Sequence, residues 1–222
     1  MRGRFITFEG GEGTGKSTHA ALLASRLQAL GIEVLLTREP GGSPGAEVIR
    51  HVLLAGVAKP LGAEAEALLF AAARGDHVRG TIEPGLARGR WVICDRFIDS
   101  TRVYQGALGR VDPRFIRALE RVTVGKLRPD LTFILDVPAE VGLARASKRR
   151  GEGAADRFEA ESRDFHEALR EAYGRLAREE PGRFVLIDAT QPKGIVEERV
   201  WQAVSERLGT DGAPAFPADA AP

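Results

Sequence analysis

A glycine-rich segment near the N-terminus constrains the fold of this chain more than any other feature. Residues 10–17 read G-G-E-G-T-G-K-S, which fits the pattern G-x-x-x-x-G-K-S. A strand-like run, 4–9, precedes the segment, and an amphipathic stretch, 16–30, follows it. In such a turn the backbone N–H groups and the helix N-terminus face one anion. The segment predicts a phosphate-binding loop in which Lys16 contacts phosphates and Ser17 ligates Mg²⁺.

Short apolar runs alternate with amphipathic stretches along the rest of the chain. We expect five strands, at 4–9, 33–37, 91–95, 131–137 and 183–188. The amphipathic stretches predict helices at about 16–30, 46–54, 63–88, 113–124, 138–149, 164–178 and 194–208. Parallel strands require crossover connections, and the alternating helices supply them. The sequence therefore predicts an α/β fold of the P-loop NTPase type, a five-stranded parallel sheet with helices on both faces.

Length and charge narrow the class of protein. The 222 residues are 43% hydrophobic, which suits one domain at 1–208, followed by a disordered tail at 209–222 that is rich in Ala, Pro and Gly. Lys and Arg number 32 against 31 Asp and Glu, so nothing favours broad binding to nucleic acid or membranes. We find no signal-peptide core and no apolar run of the ~18 residues that a membrane span needs. We expect a cytoplasmic protein in which the single cysteine, Cys94, is buried.

Two further motifs follow predicted strands. The strings typical of a GTPase, D-x-x-G with N-K-x-D or T-K-x-D, do not occur. Instead T-R-E-P-G-G ends the second predicted strand at 37–42, at the sheet edge where ligands bind in open α/β sheets. Asp95 and Arg96 end the third, where a carboxylate could hold Mg²⁺ or its waters and a guanidinium could grip a phosphate. From the spacing alone, a structural ion pair fits Asp95 and Arg96 equally well.

Together these motifs form an ordered set that resembles the bacterial thymidylate kinases. The set contains the phosphate-binding loop with Glu12, the T-R-E-P-G-G turn, L-L-F-A-A-A-R at 68–74, D-R-F-I-D-S-T at 95–101 and Y-Q-G at 104–106. It continues through L-D-V at 135–137, D-R-F-E at 156–159 and D-A-T-Q-P at 188–192, so it covers about residues 4 to 205. The resemblance implies transfer of the γ-phosphoryl group of ATP to deoxythymidine monophosphate (dTMP), with Mg²⁺, in a homodimer.

The resemblance also assigns a site for the phosphate acceptor. Arg96 is expected to hold the acceptor phosphate, and Glu12 to accept a hydrogen bond from the 3′-hydroxyl of its sugar. Phe70 is expected to stack on thymine and Arg74 to donate to its exocyclic oxygen; without the resemblance, an aromatic residue at helical spacing indicates core packing. The expected acceptor residues are Glu12, Glu39, Pro40, Phe70, Arg74, Arg96, Ser100, Thr101, Tyr104 and Gln105.

A donor site and a lid complete the expected machinery. We expect Ser17 and Asp95 to hold Mg²⁺, and ATP to be bound by Gly10, Gly11, Glu12, Gly13, Thr14, Gly15, Lys16, Ser17, Thr18 and Arg145. A cationic stretch at about 145–157, interrupted by Gly151 and Gly153, resembles the mobile lid of nucleoside monophosphate kinases. Position 13 is glycine where some relatives carry arginine, so the resemblance assigns the catalytic arginine to the lid. The expected catalytic residues are Lys16, Arg96, Arg149, Arg150 and Arg157, and which lid arginine reaches the transferred group stays open.

Two other functions remain compatible with these patterns. One is a kinase for another nucleotide or for a deoxynucleoside, and the other is a P-loop protein that binds ATP to regulate a partner. A regulatory protein has no use for a second nucleotide site, which argues against that alternative. The four histidines show no metal-ligand spacing, and we assign them no chemistry.

Overall fold

The computed structural model describes residues 2–151 and 157–209, and within these ranges five parallel strands form one sheet. The strands are β1 Phe5–Glu9, β2 Val34–Arg38, β3 Trp91–Asp95, β4 Leu131–Asp136 and β5 Phe184–Asp188, and their order in the sheet is β2-β3-β1-β4-β5. The predicted α/β fold is confirmed, and each strand lies within one residue of its expected bounds. The tail from residue 210 onward and residues 152–156 of the expected lid lie outside the described residues.

Helices cover both faces of the sheet. They are α1 Lys16–Ala29, α2 Pro44–Leu54, α3 Gly62–His77, α4 Glu83–Ala87, α5 Ile98–Thr101, α6 Pro113–Thr123, α7 Ala139–Arg150, α8 Arg163–Glu179 and α9 Lys193–Leu208. The stretch predicted as one helix at 63–88 divides into α3, π-helical turns at Val78–Ile82, and α4. The segment 98–108, for which we predicted no helix, forms α5 and then π-helical turns at Arg102–Leu108. Across the described ranges, no helix has the length and apolar character needed to cross a bilayer.

Alternate residues of the central strands point to opposite faces, so each face has its own core. On one face Ile6 and Phe8 of β1 pack with β4, α1 and α9, and the Phe8 ring stacks on Phe133 at 5.1 Å between centroids. On the other face Phe5 meets Phe97 edge-on at 4.9 Å, beside α4 and the π-helical turns before it. Cys94 is fully buried on this second face, as predicted.

The order of the strands brings the polar motifs to one place. Because the strands are parallel, their carboxyl ends lie at the same edge of the sheet. β1 lies between β3 and β4, so its loop is at the point where the strand order reverses, which is the usual ligand site of such sheets. The loops that follow β1, β2 and β3 therefore converge at the carboxyl end of β1.

Candidate active site

The loop between β1 and α1 takes a backbone path that depends on glycine. Gly10, Gly13 and Gly15 have φ angles of 133°, 67° and 94°, in the region that disfavours other residues. A Cβ atom on Gly13 would lie only 1.9 Å from the carbonyl oxygen of Gly142 in α7. A side chain at this position would therefore push α7 away from the loop.

Lys16 is held inside this loop. Its Nζ donates to the carbonyl oxygen of Gly11 at 2.5 Å, and the residue is 7% exposed. Burial, followed by repulsion from Arg96, lowers the pKa of Lys16 from 10.5 to about 8. A phosphate in the loop would supply the negative charge that favours the ammonium form.

The two expected metal ligands lie together at the loop. The Ser17 Oγ donates a hydrogen bond to the carboxylate of Asp95, at the end of β3. Mg²⁺ prefers oxygen ligands, and it commonly takes one or two from the protein and the rest from water and phosphates. Among the described residues no cluster of three or more His, Cys, Asp or Glu could hold a metal. This pair of oxygens thus fits Mg²⁺ that is bound mainly through a nucleotide.

Arg96 lies opposite the loop in an unusual backbone conformation. Its φ angle is 69°, and its Nη2 donates to Glu12 Oε1 at 2.5 Å while Nη1 donates to the Gly10 carbonyl oxygen at 3.0 Å. The Tyr104 hydroxyl donates to the same Glu12 oxygen at 3.2 Å. Burial alone would raise the pKa of Glu12, but the charges of Arg96 and Lys16 outweigh it and lower that pKa to about 2. Glu12 is therefore an ionised partner of Arg96.

A cavity of about 310 Å³ opens beside these groups. All ten expected acceptor residues line it, together with Lys16, Ser17, Asp95 and Arg149. Among the described lining residues, six side chains are cationic and three are carboxylates, which suits an anionic ligand. The cationic ones are Lys16, Arg38, Arg50, Arg74, Arg96 and Arg149.

Five further residues line this cavity that sequence reasoning did not assign to it: Arg38, Arg50, Leu54, Phe97 and Phe158. Arg38, Phe97 and Phe158 lie within motifs that carried the resemblance, so their place in those motifs was an available signal. Arg50 lies on α2 and donates to the carbonyl oxygen of Pro40 at 2.6 Å. Its proximity to the turn after β2 depends on how α2 folds back, which the local sequence does not show.

Arg74 lines the cavity, and its guanidinium is also held by three hydrogen bonds to other residues. Its Nε donates to Glu39 at 2.7 Å, Nη1 to Thr101 Oγ1 at 3.0 Å and Nη2 to the Phe97 carbonyl oxygen at 3.1 Å. These bonds use three of the five N–H groups of a guanidinium. His77, to which we assigned no chemistry, is fully buried and lies 3.0 Å from the second Glu39 oxygen, so it helps to orient this pair.

A second cavity of about 280 Å³ lies on the other side of the phosphate-binding loop. Five expected ATP-binding residues line it: Gly13, Thr14, Gly15, Thr18 and Arg145. The Arg145 Nη1 donates to the Ala189 carbonyl oxygen at 2.8 Å, so this arginine meets the loop after β5. His19, Gln191 and Lys193 also line the cavity. Glu12, Lys16 and Ser17 line the first cavity, and Gly10 and Gly11 border a small cleft beside α8.

The three candidate lid arginines differ in position. Arg149 and Arg150 both pair with Glu159, at 2.9 and 2.7 Å. Arg157 pairs with Glu66 of α3 at 2.8 Å and with Glu161 at 3.3 Å. Arg149 lines both cavities, whereas neither Arg150 nor Arg157 is among the described residues that line them. Arg149 is thus the candidate lid arginine that faces both cavities.

Glu9, at the end of β1, forms a hydrogen-bonded centre that sequence reasoning missed. Oε1 accepts from the backbone N–H groups of Phe97 and Ser100, at 2.8 and 3.2 Å. Oε2 accepts from the Ser100 hydroxyl at 2.7 Å and from the Tyr173 hydroxyl at 2.9 Å. Burial, followed by the negative charge of Asp99, raises the pKa of Glu9 from 4.5 to about 7.

This shift predicts how the stability of the ligand-free protein depends on pH. The folded state holds the Glu9 proton up to about pH 7, but the unfolded chain releases it near pH 4.5. The resulting stabilisation is present below pH 4.5 and is lost as the pH rises through 7, by up to about 3 kcal/mol. Urea unfolding of wild type and Glu9→Gln at pH 5 and pH 8 measures it. Wild type should lose more stability than the variant over this interval; equal losses would contradict the assignment.

Comparisons with known proteins agree with this geometry. The model of the thymidylate kinase family matches residues 8–200. The chain is 63% identical over 209 residues to a thymidylate kinase of a Bradyrhizobium species, an alignment that covers 94% of this chain and 92% of the relative. It is 62% identical to the thymidylate kinase of Afipia carboxidovorans over the same shares of the two chains. The crystal structure of thymidylate kinase from Ehrlichia chaffeensis superimposes with a TM-score of 0.73 at 33% identity, covering 92% of this chain and 99% of that one.

The family match extends over most of the sheet, the phosphate-binding loop and all the residues that line the cavity beside it. The structural similarity covers 92% of the chain. The matched residues, 8–200, include every motif on which the resemblance was based. The high identity to relatives extends over almost the whole of both chains, so it is not confined to the loop that many P-loop proteins share. The chain belongs to the thymidylate kinase family.

Proposed function

We propose that the protein transfers the γ-phosphoryl group of ATP to dTMP, giving ADP and dTDP for dTTP synthesis. The observation that carries this proposal is the pair of cavities on either side of the phosphate-binding loop, which share Arg149. Each has a volume of the order expected for a small-ligand site. A protein that only binds ATP needs one such site, whereas a nucleotide kinase needs two that meet at the transferred phosphoryl group.

The acceptor would lie with its phosphate toward the loop and its base toward the aromatic side chains of Phe70 and Phe158. Arg96 offers the phosphate a planar guanidinium that can donate two parallel hydrogen bonds. Glu12, which is ionised, can accept from a sugar hydroxyl. Phe70 and Phe158, whose ring centroids lie 6.1 Å apart, offer apolar surface to a pyrimidine, and Arg74 carries N–H groups beside them.

The reaction requires little covalent chemistry from the protein. The acceptor phosphate is already ionised at neutral pH, so we propose direct in-line attack on the γ-phosphorus without a general base. Lys16 and Arg149 would neutralise charge on the transferred group, and Arg96 would align the attacking oxygen. Ser17 and Asp95 would hold Mg²⁺, which when bound neutralises charge on the donor phosphates. Exclusion of water by the lid would limit hydrolysis of ATP.

We also propose that the protein acts in the cytoplasm as a homodimer, without nucleic acid or membrane partners. The support for a dimer, beyond the family resemblance, is apolar exposure on two helices that pack together. Leu68 of α3 is 50% exposed and Val122 of α6 is 80% exposed. Light scattering of the purified protein should give a mass near twice that of one chain. The mass of a single chain, which is 23.9 kDa, would contradict the proposal.

The function is tested by ADP production from ATP and Mg²⁺ with different acceptors. We expect kcat/KM for dTMP to exceed that for dCMP, dAMP, dGMP or thymidine by about 10²-fold or more, because buried polar groups discriminate strongly between bases. Preference for another acceptor would keep the kinase assignment but refute the choice of dTMP. ATP binding without acceptor-dependent turnover would favour a regulatory protein.

A further inference from the structure

Glu66 is a buried carboxylate beside the acceptor cavity that has no part in the mechanism above. It lies on α3, one turn before Phe70, and the residue is only 4% exposed. Its Oε1 pairs with Arg157 Nη2 at 2.8 Å, and its Oε2 accepts from the Gln105 side-chain amide at 3.4 Å. A carboxylate buried to this degree requires partners of this kind, since an unpaired charge in the interior is costly.

One partner of Glu66 lines the acceptor cavity, and the other contacts a residue that lines it. Gln105 itself lines the acceptor cavity. The guanidinium of Arg157 lies over the ring of Phe158, 4.4 Å from its centroid, and Phe158 lines the same cavity. On its other sides the Phe158 ring meets Tyr104 edge-on at 5.3 Å and Phe70 at 6.1 Å. Arg157 therefore packs against one member of an aromatic cluster, Phe158, Tyr104 and Phe70, that lines the acceptor cavity.

We propose that Glu66 is a positioning residue for the acceptor base, acting through Arg157 and Gln105. By holding Arg157 against Phe158 it fixes one wall of the cavity, and by holding Gln105 it fixes a neighbouring polar group. This inference rests on the proposed function, and it gives Arg157 a role in binding the acceptor rather than in phosphoryl transfer. The three residues come from separate parts of the chain, α3, the π-helical turns and the segment before α8, so their pairing holds these parts together.

The two roles for Arg157 predict opposite kinetic effects. If Arg157 contacts the transferred phosphoryl group, its loss lowers kcat by about 10²-fold or more and leaves the KM for dTMP nearly unchanged. If it positions Phe158 against the acceptor base, its loss raises the KM for dTMP and leaves kcat nearly unchanged. Contacts with the base are made equally in the ground state and the transition state. The division of the effect between KM and kcat therefore distinguishes the two.

The experiment compares Glu66→Gln, Arg157→Gln and the double variant in the full chain. We expect each single variant to raise the KM for dTMP about 10-fold, with kcat and the KM for ATP within about twofold of wild type. The KM for dTMP of the double variant should not exceed that of the more affected single variant, because either single substitution already breaks the pair. Lys59→Gln is the matched control: it removes a 3.1 Å ion pair with Glu161, the other partner of Arg157, and Lys59 is not among the described residues lining the cavity.

Several outcomes would overturn the inference. They are an unchanged KM for dTMP in both single variants, additive effects in the double variant, an equal effect of Lys59→Gln, or a loss confined to kcat in Arg157→Gln. If Glu66→Gln does not fold, as judged by its thermal unfolding, Arg157→Gln alone decides between the two kinetic patterns. Failure of the proposed function shows separately, since wild type would then lack turnover of dTMP.

Discussion

Replacing Arg96 by alanine is expected to lower kcat/KM for dTMP by about 10³-fold, while the KM for ATP changes by less than about threefold. The substitution removes the guanidinium proposed to hold the acceptor phosphate. It also leaves Glu12, whose side chain is 14% exposed, without its 2.5 Å ion-pair partner. The resulting uncompensated carboxylate would repel the phosphate that the arginine attracts. Steady-state kinetics with dTMP and ATP varied separately measure both parameters.

Two matched variants separate charge, geometry and backbone strain at this position. Arg96→Lys keeps the positive charge but not the planar guanidinium, which can donate two parallel hydrogen bonds. We therefore expect an intermediate loss of about 10- to 100-fold in kcat/KM for dTMP. Arg96→Gly relieves the left-handed backbone conformation at φ 69°, which alanine would still have to adopt. If glycine recovered most of the activity that alanine loses, backbone strain would explain the effect, and the proposed role of the guanidinium would be wrong.

Replacing Arg149 by alanine is expected to lower kcat by about 10³-fold with little change in either KM. Its side chain faces both cavities. In the proposed reaction the phosphoryl group would pass between these cavities, beside Arg149. A guanidinium in that place gains most when charge spreads over the transferred phosphoryl group, so its effect should fall on the transition state. Single-turnover kinetics isolate this step from product release.

Arg150 provides the matched control for this prediction. It follows Arg149 in the sequence and pairs with the same Glu159 carboxylate, at 2.7 Å against 2.9 Å. Loss of either arginine leaves the other one paired with Glu159, so structural effects should be similar in the two variants. We expect Arg150→Ala to lose less than about 10-fold in kcat. Equal losses in the two variants would mean that the lid acts through the pair and not through Arg149.

Local pattern predicted most of the framework of this protein. Each strand is a short apolar run with a clear end, and β1, β3 and β4 are largely buried, as expected for the central strands of a parallel sheet. The pattern failed at 98–108, where Asp99, Thr101 and Gln105 are buried polar residues and no helical periodicity is visible. Helix there depends on buried partners, since Arg183 of a distant segment donates to Asp99 at 2.6 Å.

The sequence predicted those site residues that belong to a recognisable motif. It did not predict those whose role depends on a partner far away in the sequence. All ten expected acceptor residues line one cavity. Eight of them lie in the segments that follow β1, β2 and β3, which end at one edge of the sheet, whereas Phe70 and Arg74 reach the cavity from α3. Glu9, Glu66 and His77 take part in networks that are invisible in the sequence. Glu9, for example, meets Tyr173 across 164 positions of the chain, and no spacing rule reaches that far. Their roles become apparent only when the strand order is known.

The ion pair between Arg96 and Glu12 bears on selectivity in the cell. Arg96 and Glu12 are each other's counter-ion. A simple anion such as inorganic phosphate would have to compete with this carboxylate for the guanidinium, and it has no hydroxyl group to donate to the carboxylate. A nucleoside monophosphate brings both a phosphate and a hydroxyl, and can satisfy both halves at once. Under the proposed function, the pair would therefore favour ligands that carry both groups over free phosphate, even where phosphate is abundant.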